Sequence, residues 1–335
     1  YTSRPMYRFI NFILLARVSV PFLSIYLASR GLKHGRGHLY AFWIKAQDKV
    51  PSLKDLDRPL QRRIFHYLFA NSLTTQWFST LLNYKPGPGE IETGYFIAMA
   101  TPIADYLVDH EKMPVDNIHY MLEENSEHPW QNMARHLNHL SMRNHPSPDI
   151  GQQLIHLTLQ AQEQSLKQHD QSINWQKLKE ITWDKGGNAL LLYRSALKPP
   201  INQDEWNAIY QLGGLMQLHN DIFDLYRDLQ EGIQTIPSTT ESITILFNLF
   251  ESEIEKTYLL VSKLPYPAIQ KRKFYLLLSL AVQTGFHALN QYSGLEEKYG
   301  SFTPQHYSRE ELVCDMDHLG KISSTVWATI NKKHI

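Results

Sequence analysis

Apolar residues recur along most of the chain at intervals of three and four positions, which is the period of amphipathic helices. With the proline and glycine breaks, this pattern predicts helices over residues 39–50, 58–83, 115–124, 130–143, 150–169, 173–197, 239–263, 267–292 and 306–332. A further helix, capped by Asp204, is predicted through the stretch from Gly213 towards Pro237. The sequence shows no convincing strand alternation, repeat or linker. The predicted fold class is therefore all-α, a single-domain, multi-helix bundle over residues 1–335.

The most hydrophobic stretch is the N-terminal run Phe9–Ala28. It is interrupted by Asn11, Arg17 and Pro21, which argues against a span across a membrane. It also lacks the small-residue cleavage pattern of a signal peptide. We predict a buried helix here, with peripheral contact to a membrane surface as the alternative.

Composition narrows the kinds of partner. The chain has 33 basic and 33 acidic residues and is formally neutral, which argues against nucleic acid, because a nucleic-acid-binding surface is basic. Cys314 is the only cysteine, which excludes an intramolecular disulfide and a cysteine-based metal site. This favours a reducing compartment, so we predict a cytoplasmic protein, with membrane association as the alternative. A homodimer is left open.

The stretch Gly213–Pro237 carries an unusual acidic ladder. Asn220, Asp224 and Asp228 recur every four residues and therefore rise on one helix face. Like charges at this spacing cost a helix about 0.2–0.5 kcal/mol per pair, and Asp is a poor residue for a helix interior. A cation over the ladder would explain the arrangement, and oxygen ligands suit Mg²⁺. Asp221 is placed off this face and is a weaker candidate.

A second acidic pair occurs in residues 100–109. Asp105 and Asp109 stand four residues apart in an apolar, helix-compatible run, and Pro102 fits the first turn of a helix that begins there. Taken alone, the pair is also compatible with a solvated helix edge. Two carboxylate-bearing helices that face each other would form the mouth of a site for a metal-bound diphosphate.

The second acidic motif resembles those of class I isoprenoid synthases. Gln217, Asn220, Asp224 and Asp228 match the Q-x-x-N-x-x-x-D-x-x-x-D pattern of squalene and phytoene synthases. The same residues also resemble the terpene cyclase motif N-D-x-x-[ST]-x-x-x-E, with Asp224 in place of Ser or Thr and Asp228 in place of Glu. The resemblance covers about residues 90–240.

The first motif separates the branches of this superfamily. Asp105-Tyr-Leu-Val-Asp109 resembles the D-x-x-x-D of squalene and phytoene synthases and lacks the D-D-x-x-D of chain-elongating enzymes. The R-G-R stretch that often follows the second motif in phytoene synthases is replaced by Gln230-Glu231-Gly232. The chain therefore looks most similar to atypical terpene cyclases with prenyltransferase-like motifs, of the tetraprenyl-β-curcumene synthase type.

The resemblance implies a central active-site cavity and a terpene synthase activity. A linear prenyl diphosphate of 15 or more carbons would be ionised and cyclised, and diphosphate would be released. Three Mg²⁺ ions would bind together with the substrate diphosphate. Asp105 and Asp109 would hold metal from one wall, and Asn220, Asp224 and Asp228 from the other. These five residues are the predicted catalytic and metal-binding set.

Four polar residues are predicted to bind the substrate. Lys185, Arg194 and Arg227 are the cations nearest in sequence that could stabilise the leaving diphosphate. Arg227 has an alternative role as the ion-pair partner of Asp228. Gln217 belongs to the matched motif.

Two small residues are predicted to leave the substrate pocket deep. Thr101 precedes Asp105 by one turn, and Gly213 precedes Asn220 by two turns. The neighbouring Gly186-Gly187 pair is open to two interpretations, a substrate contact or close packing of two helices.

Two other functions stay open at this point. Head-to-head prenyl condensation of the squalene and phytoene type is favoured by the Q-x-x-N-x-x-x-D-x-x-x-D match. A helical binding protein that kept the fold and lost the chemistry is the alternative from a different class.

Overall fold

The fold is described by a computed structural model for residues 4–109, 111, 113, 128–316 and 319–331. Within these residues there are α-helices and short 3₁₀ turns but no β-strand, so the predicted all-α fold is confirmed. The α-helices are α1 (Arg4–Lys33), α2 (Gly37–Lys49), α3 (Arg58–Leu82), α4 (Pro88–Asp109), α5 (Pro129–Met142), α6 (Pro148–Ser165), α7 (Trp175–Ser195), α8 (Gln203–Gln230), α9 (Ile236–Thr239), α10 (Ile243–Ser262), α11 (Ala268–Tyr299), α12 (Arg309–Leu312) and α13 (Leu319–Asn331).

Most predicted helices occur within a few residues of their expected bounds. The helix predicted over residues 115–124 lies outside the described residues. The single helix predicted over 306–332 is wrong, because the chain forms the short α12 and the separate α13 instead. Helix α8 is capped by Asn202 rather than Asp204: the Asn202 side chain accepts a 2.9 Å hydrogen bond from the Glu205 amide. Asp204 lies inside the first turn, where its charge favours the helix dipole.

Helix α4 continues through Pro102, so the prediction that a new helix begins there is wrong. Proline inside a helix removes one backbone hydrogen bond. The residue before this proline, Thr101, donates a 2.9 Å hydrogen bond from its hydroxyl to the Ile97 carbonyl one turn earlier in the helix. The uninterrupted helix runs from Pro88 to Asp109 and carries the whole first acidic motif.

Contacts within the chain divide it into two compact units. The first unit comprises Tyr1–Arg17, Ser165–Asn188 and Asn202–Ile335, and the second comprises Val18–Gln164 and Ala189–Ile201. The prediction of one domain over the whole chain stays a prediction.

Each unit has an apolar core of its own. In the first unit, α8 packs on α10 and α10 packs on α11; buried Leu218, Phe250 and Tyr292 come from these helices. The Tyr292 hydroxyl also donates a 2.8 Å hydrogen bond to the Ile222 carbonyl of α8. In the second unit, α4 packs on α3 and α5. The two acidic motifs are therefore carried by central, well-packed helices.

Helix α1 does not match the predicted buried helix. Only 24% of its most hydrophobic window, within Tyr7–Gly31, is buried. Phe9 and Val20 are 64% and 69% exposed, whereas Leu14 and Leu15 are buried on another face. Judged by length and hydropathy alone, this is the one helix among the described residues that could cross a membrane. The interpretation as a buried helix is wrong for one face of α1.

Candidate active site

The first acidic motif lies in the second unit, where Asp105 is buried and already paired. Its Oδ2 atom accepts hydrogen bonds from Arg63 Nη2 at 3.0 Å and from the Tyr67 hydroxyl at 2.9 Å. Arg63 and Tyr67 are four residues apart on α3, so both side chains reach the same face. A buried carboxylate is stable when a cation and a hydrogen-bond donor hold it in this way.

The electrostatics of this cluster couple Arg63 and Tyr67 to Asp105. Burial lowers the pKa of the Arg63 guanidinium, but attraction by Asp105 and its other neighbours outweighs burial and leaves the pKa raised. Burial, followed by the charge of Asp105, raises the pKa of Tyr67 well above its ordinary value. Tyr67 therefore stays protonated and keeps donating to the carboxylate at neutral pH.

Asp109 lies one turn further along α4 and is partly exposed. Its Oδ1 atom accepts a 2.8 Å hydrogen bond from Gln162 Nε2 of α6. Both predicted carboxylates of the first motif thus have protein partners.

A small cavity borders Asp105 within the second unit. Its volume is about 50 Å³, and its lining includes Ala100, Thr101, Asp105 and Gln162. Thr101 thus lines a cavity, and its predicted role in a deep substrate pocket stays a prediction. A cavity of this size holds one or two waters, whereas small-molecule sites usually measure roughly 300–1,000 Å³. A prenyl chain would need the cavity to widen.

Tyr193 of α7 extends the polar cluster beside Thr101. The Tyr193 side chain is hydrogen-bonded to Thr101, and burial, partly offset by that bond, raises its pKa. Sequence analysis missed Tyr193 together with Arg63, Tyr67 and Gln162. The available signal was the polar pair Arg63 and Tyr67 at helical spacing within an otherwise apolar pattern.

The second acidic motif lies on α8 in the first unit. Four side chains form what we call the acidic stripe: Gln217, Asp221, Asp224 and Asp228. Their spacing of four, three and four residues keeps them within about 60° around the helix, whereas a strict four-residue ladder rotates by about 40° at each step. Asn220 therefore lies at the edge and is exposed. Asp221, which sequence analysis placed off the acidic face, belongs to the stripe.

Asp221 is buried at the upper part of the stripe. Its carboxylate accepts hydrogen bonds from Gln217 Nε2 at 2.8 Å and from the Thr182 hydroxyl at 3.4 Å. Burial raises the pKa of Asp221 to about 6, although the Gln217 bond and the charge of Lys185 oppose the increase. The structure thus brings predicted Lys185 to the electrostatic environment of the stripe.

Of the two buried aspartates in the stripe, Asp228 has the larger increase in pKa. Its side chain is 6% exposed. Burial, reinforced by the charge of Asp221, raises its pKa to about 7. Arg227 opposes this increase only from 3.5 Å, because its guanidinium donates a shorter 2.7 Å bond to Asp224. Asn220 also donates to Asp224, at 2.7 Å. The protein compensates Asp224 well and Asp228 poorly.

Helices α7 and α8 cross at glycines. A Cβ atom on Gly213 would collide with the Gly186 carbonyl, and one on Gly186 would collide with the Gly213 carbonyl. The structure therefore gives Gly186 and Gly213 a role in close helix packing, which places Lys185 beside α8. Gly213 lies in this helix contact, so its geometry gives no support to the predicted role in deepening a pocket, which stays a prediction.

Arg194 has a structural contact in the second unit. Its side chain is fully buried, and Nη1 donates a 2.9 Å hydrogen bond to the Pro199 carbonyl just beyond the end of α7. Its predicted role in diphosphate binding stays a prediction, and the burial counts against it.

The donor set of the acidic stripe fits a hard divalent cation. It consists of carboxylate and amide oxygens, which are the ligands that such cations prefer. Two of the carboxyl groups, those of Asp221 and Asp228, have raised pKa values. Among the residues that the structure describes, no group of three or more His, Cys, Asp or Glu side chains is arranged to hold a metal ion. Mg²⁺ does not require one, because it typically uses one or two carboxylates, several waters and substrate phosphates.

Comparisons with known proteins add little. No protein-family model matches the chain, and no curated protein matches it. A solved structure titled "Crystal structure of a dehydrosqualene synthase in complex with ligand" is similar at 16% identity, over 81% of this chain and 96% of that chain, with a TM-score of 0.47. A likeness this weak does not bear on the function of this chain.

Proposed function

We propose that the protein is a Mg²⁺-dependent class I terpene synthase that ionises a linear prenyl diphosphate of 15 or more carbons and cyclises it. The observation that supports this most directly is the acidic stripe of α8. Asp221 and Asp228 are both buried and have raised pKa values, and the charge of Asp221 contributes to the shift of Asp228; a bound cation would relieve this repulsion.

Residues of both motifs are given roles in the proposal. Gln217, Asp221, Asp224 and Asp228 hold Mg²⁺, which when bound supplies Lewis-acid neutralisation of the diphosphate. Asp221 and Asp228 release their protons when they bind the cation. Lys185 contributes a positive charge for the leaving diphosphate. In the other unit, Asp105 and Asp109 are proposed ligands that Arg63, Tyr67 and Gln162 hold in place.

Two other functions are supported by separate observations. The Q-x-x-N-x-x-x-D-x-x-x-D match, which Gln217 begins, favours head-to-head condensation of two prenyl diphosphates. The 50 Å³ cavity and the ion pair that already holds Asp105 favour a non-catalytic binding protein. These functions differ in whether a product forms and in how many carbons it has.

The test is incubation of the purified chain with farnesyl, geranylgeranyl and longer prenyl diphosphates plus Mg²⁺. We expect a hydrocarbon product with the carbon number of its substrate, together with released pyrophosphate, in mass and phosphate analysis. A doubled carbon number would move the assignment to head-to-head condensation. If no substrate gives either product or pyrophosphate, the enzyme assignment is wrong.

A thermal shift assay separates a live site from an inactive fold. Mg²⁺ plus pyrophosphate should raise the melting temperature, because a ligand that binds only the native state stabilises it. Either component alone should have a much smaller effect. An equal shift without Mg²⁺ would indicate an anion site that does not depend on metal.

A further inference from the structure

The solvent-facing side of α1 carries a continuous apolar stripe. The residues that define the stripe are between 55% and 69% exposed and are Phe9, Phe12, Val20, Leu23 and Leu27. Their spacing places them on one face of the helix. Exposed apolar patches of this kind usually mark an interaction surface. Scattered single hydrophobic residues would need no such explanation.

The opposite side of α1 is fixed to the protein. Asn11 is fully buried, and its Nδ2 atom donates a 3.0 Å hydrogen bond to the Ile330 carbonyl of α13. Arg272 of α11 donates to Asn11 Oδ1 at 2.9 Å. Leu14 and Leu15 are buried on the same side. The helix therefore presents two distinct faces, and the apolar stripe lies on the one that the protein does not cover.

The charge of α1 indicates which kind of partner the apolar stripe binds. The chain as a whole is neutral, but the 30 residues of α1 contain five basic residues and no acidic one. The basic residues are Arg4, Arg8, Arg17, Arg30 and Lys33. A second copy of this helix would bring like charges together. An anionic lipid surface supplies the opposite charge together with an apolar interior.

Helix α13 adds an aromatic residue beside the N-terminal part of this surface. Trp327 is 65% exposed, and the Arg8 guanidinium lies 6.0 Å from the centre of its ring. Tryptophan is enriched at the boundary between lipid and water. The only charged residue within the described part of α13, Lys321, is also basic.

We propose that the apolar stripe of α1, together with Trp327, docks the protein onto a membrane surface that contains anionic lipids. The helix lies in the plane of the interface, because its other face is committed to α11 and α13 through Asn11. The basic residues attract the lipid headgroups, and the apolar stripe enters the boundary region. Docking of this kind would bring a cytoplasmic protein to water-insoluble compounds.

The proposal is tested by vesicle flotation with the full chain. Vesicles of phosphatidylcholine with phosphatidylglycerol should bind the protein, and binding should weaken at high salt because its electrostatic part is screened. The double variant Phe12→Gln/Leu27→Gln should bind about tenfold more weakly or worse. The matched control is Ile245→Gln/Leu259→Gln on α10, which changes residues 55% and 51% exposed and should bind like the unmodified protein.

Four results with vesicles would overturn the proposal. These are no binding to anionic vesicles, equal binding to phosphatidylcholine alone, and equal weakening in the α10 control. The fourth is retention of the bound protein after alkaline carbonate washing, which would indicate a spanning helix. Sedimentation without lipid gives an independent check: a dimer that Phe12→Gln/Leu27→Gln dissociates would show that the stripe contacts a second copy of the chain. A chain whose oligomeric state does not change in the variant agrees with lipid docking.

Discussion

The two acidic helices treat their carboxylates in opposite ways. On α4, buried Asp105 has a guanidinium and a phenol on the same oxygen atom. On α8, buried Asp228 lies in the field of Asp221, and its cation partner Arg227 donates its closer bond to Asp224. The first carboxylate is compensated by the fold, and the second is left with excess negative charge.

This difference indicates which of the two helices gains more free energy when it binds an added cation. A carboxylate that is already paired gains little from a metal, because the metal must compete with the existing partner. A carboxylate whose pKa is raised to about 7 gains in two ways, since the cation removes repulsion and keeps the group ionised. We therefore expect Mg²⁺ binding to depend mainly on the carboxylates of α8.

The largest expected effect is on product formation. Asp228→Asn removes a proposed metal ligand while it keeps the shape of the side chain. The rate at which the variant forms product should fall by more than the roughly 10–100-fold loss that is typical when a residue in the outer shell of a metal site is replaced. Asp204→Asn, an exposed carboxylate on the same helix, is the matched control and should keep its activity. Equal rates in both variants would remove Asp228 from the site.

The next effect is on stability at α4. Arg63→Met removes the guanidinium that pairs with the buried Asp105 and should lower the free energy of unfolding by about 1–3 kcal/mol, a range reduced because Arg63 is 40% exposed. Chemical denaturation measures the change. Arg62→Met removes an exposed charge from the neighbouring position and should change stability by less than about 0.5 kcal/mol. If Arg63→Met were equally silent, Asp105 would not depend on the fold for its compensation.

On α8, replacing a buried charged residue should raise the free energy of unfolding at neutral and higher pH, whereas Arg63→Met on α4 lowers it. The folded protein binds the Asp228 proton more tightly than the unfolded chain does, because burial raises its pKa from 3.8 to about 7. Its contribution to stability is thus complete below about pH 4 and is lost as pH rises through 7. Asp228→Asn should remove that loss.

We therefore predict how the stability difference between Asp228→Asn and the unmodified protein changes with pH. Without metal, Asp228→Asn should be more stable than the unmodified protein at pH 8, by on the order of 2 kcal/mol. The advantage should shrink as pH falls to 4. Denaturation curves across this range measure it, with Asp204→Asn as the control. An advantage that grows towards low pH would contradict a raised pKa.

The sequence alone predicted the all-α fold because the three- and four-residue apolar period is a local property. It also singled out Asp105 and Asp228, since acidic residues in apolar helices are conspicuous; their role as metal ligands stays a prediction. The partners of these residues were harder to predict. Arg63 is distant from Asp105 along the chain, so only the fold brings them together. Asp221 was misplaced because a strict four-residue ladder drifts around the helix, whereas spacings of three and four do not.

Two other predictions were limited by different physical causes. The exposed face of α1 could not be predicted from hydropathy, which measures how apolar a side chain is and not whether another helix covers it. Gly213 was assigned to a pocket because a small side chain is compatible both with open space and with a close backbone contact. The close approach of Gly186 on the neighbouring helix shows the backbone contact, and the pocket role of Gly213 stays a prediction.

The smallest expected effect tests whether Lys185 already compensates part of the acidic stripe. Its charge lowers the pKa of Asp221, but less than the Gln217 hydrogen bond does, and the result still lies near 6. Lys185→Met should therefore raise the pKa of Asp221 by less than about one unit, measured by carboxyl-carbon nuclear magnetic resonance. Lys177→Met on the same helix is the control, because Lys177 pairs with Glu180. If the pKa of Asp221 does not respond to Lys185→Met, Lys185 does not compensate the acidic stripe.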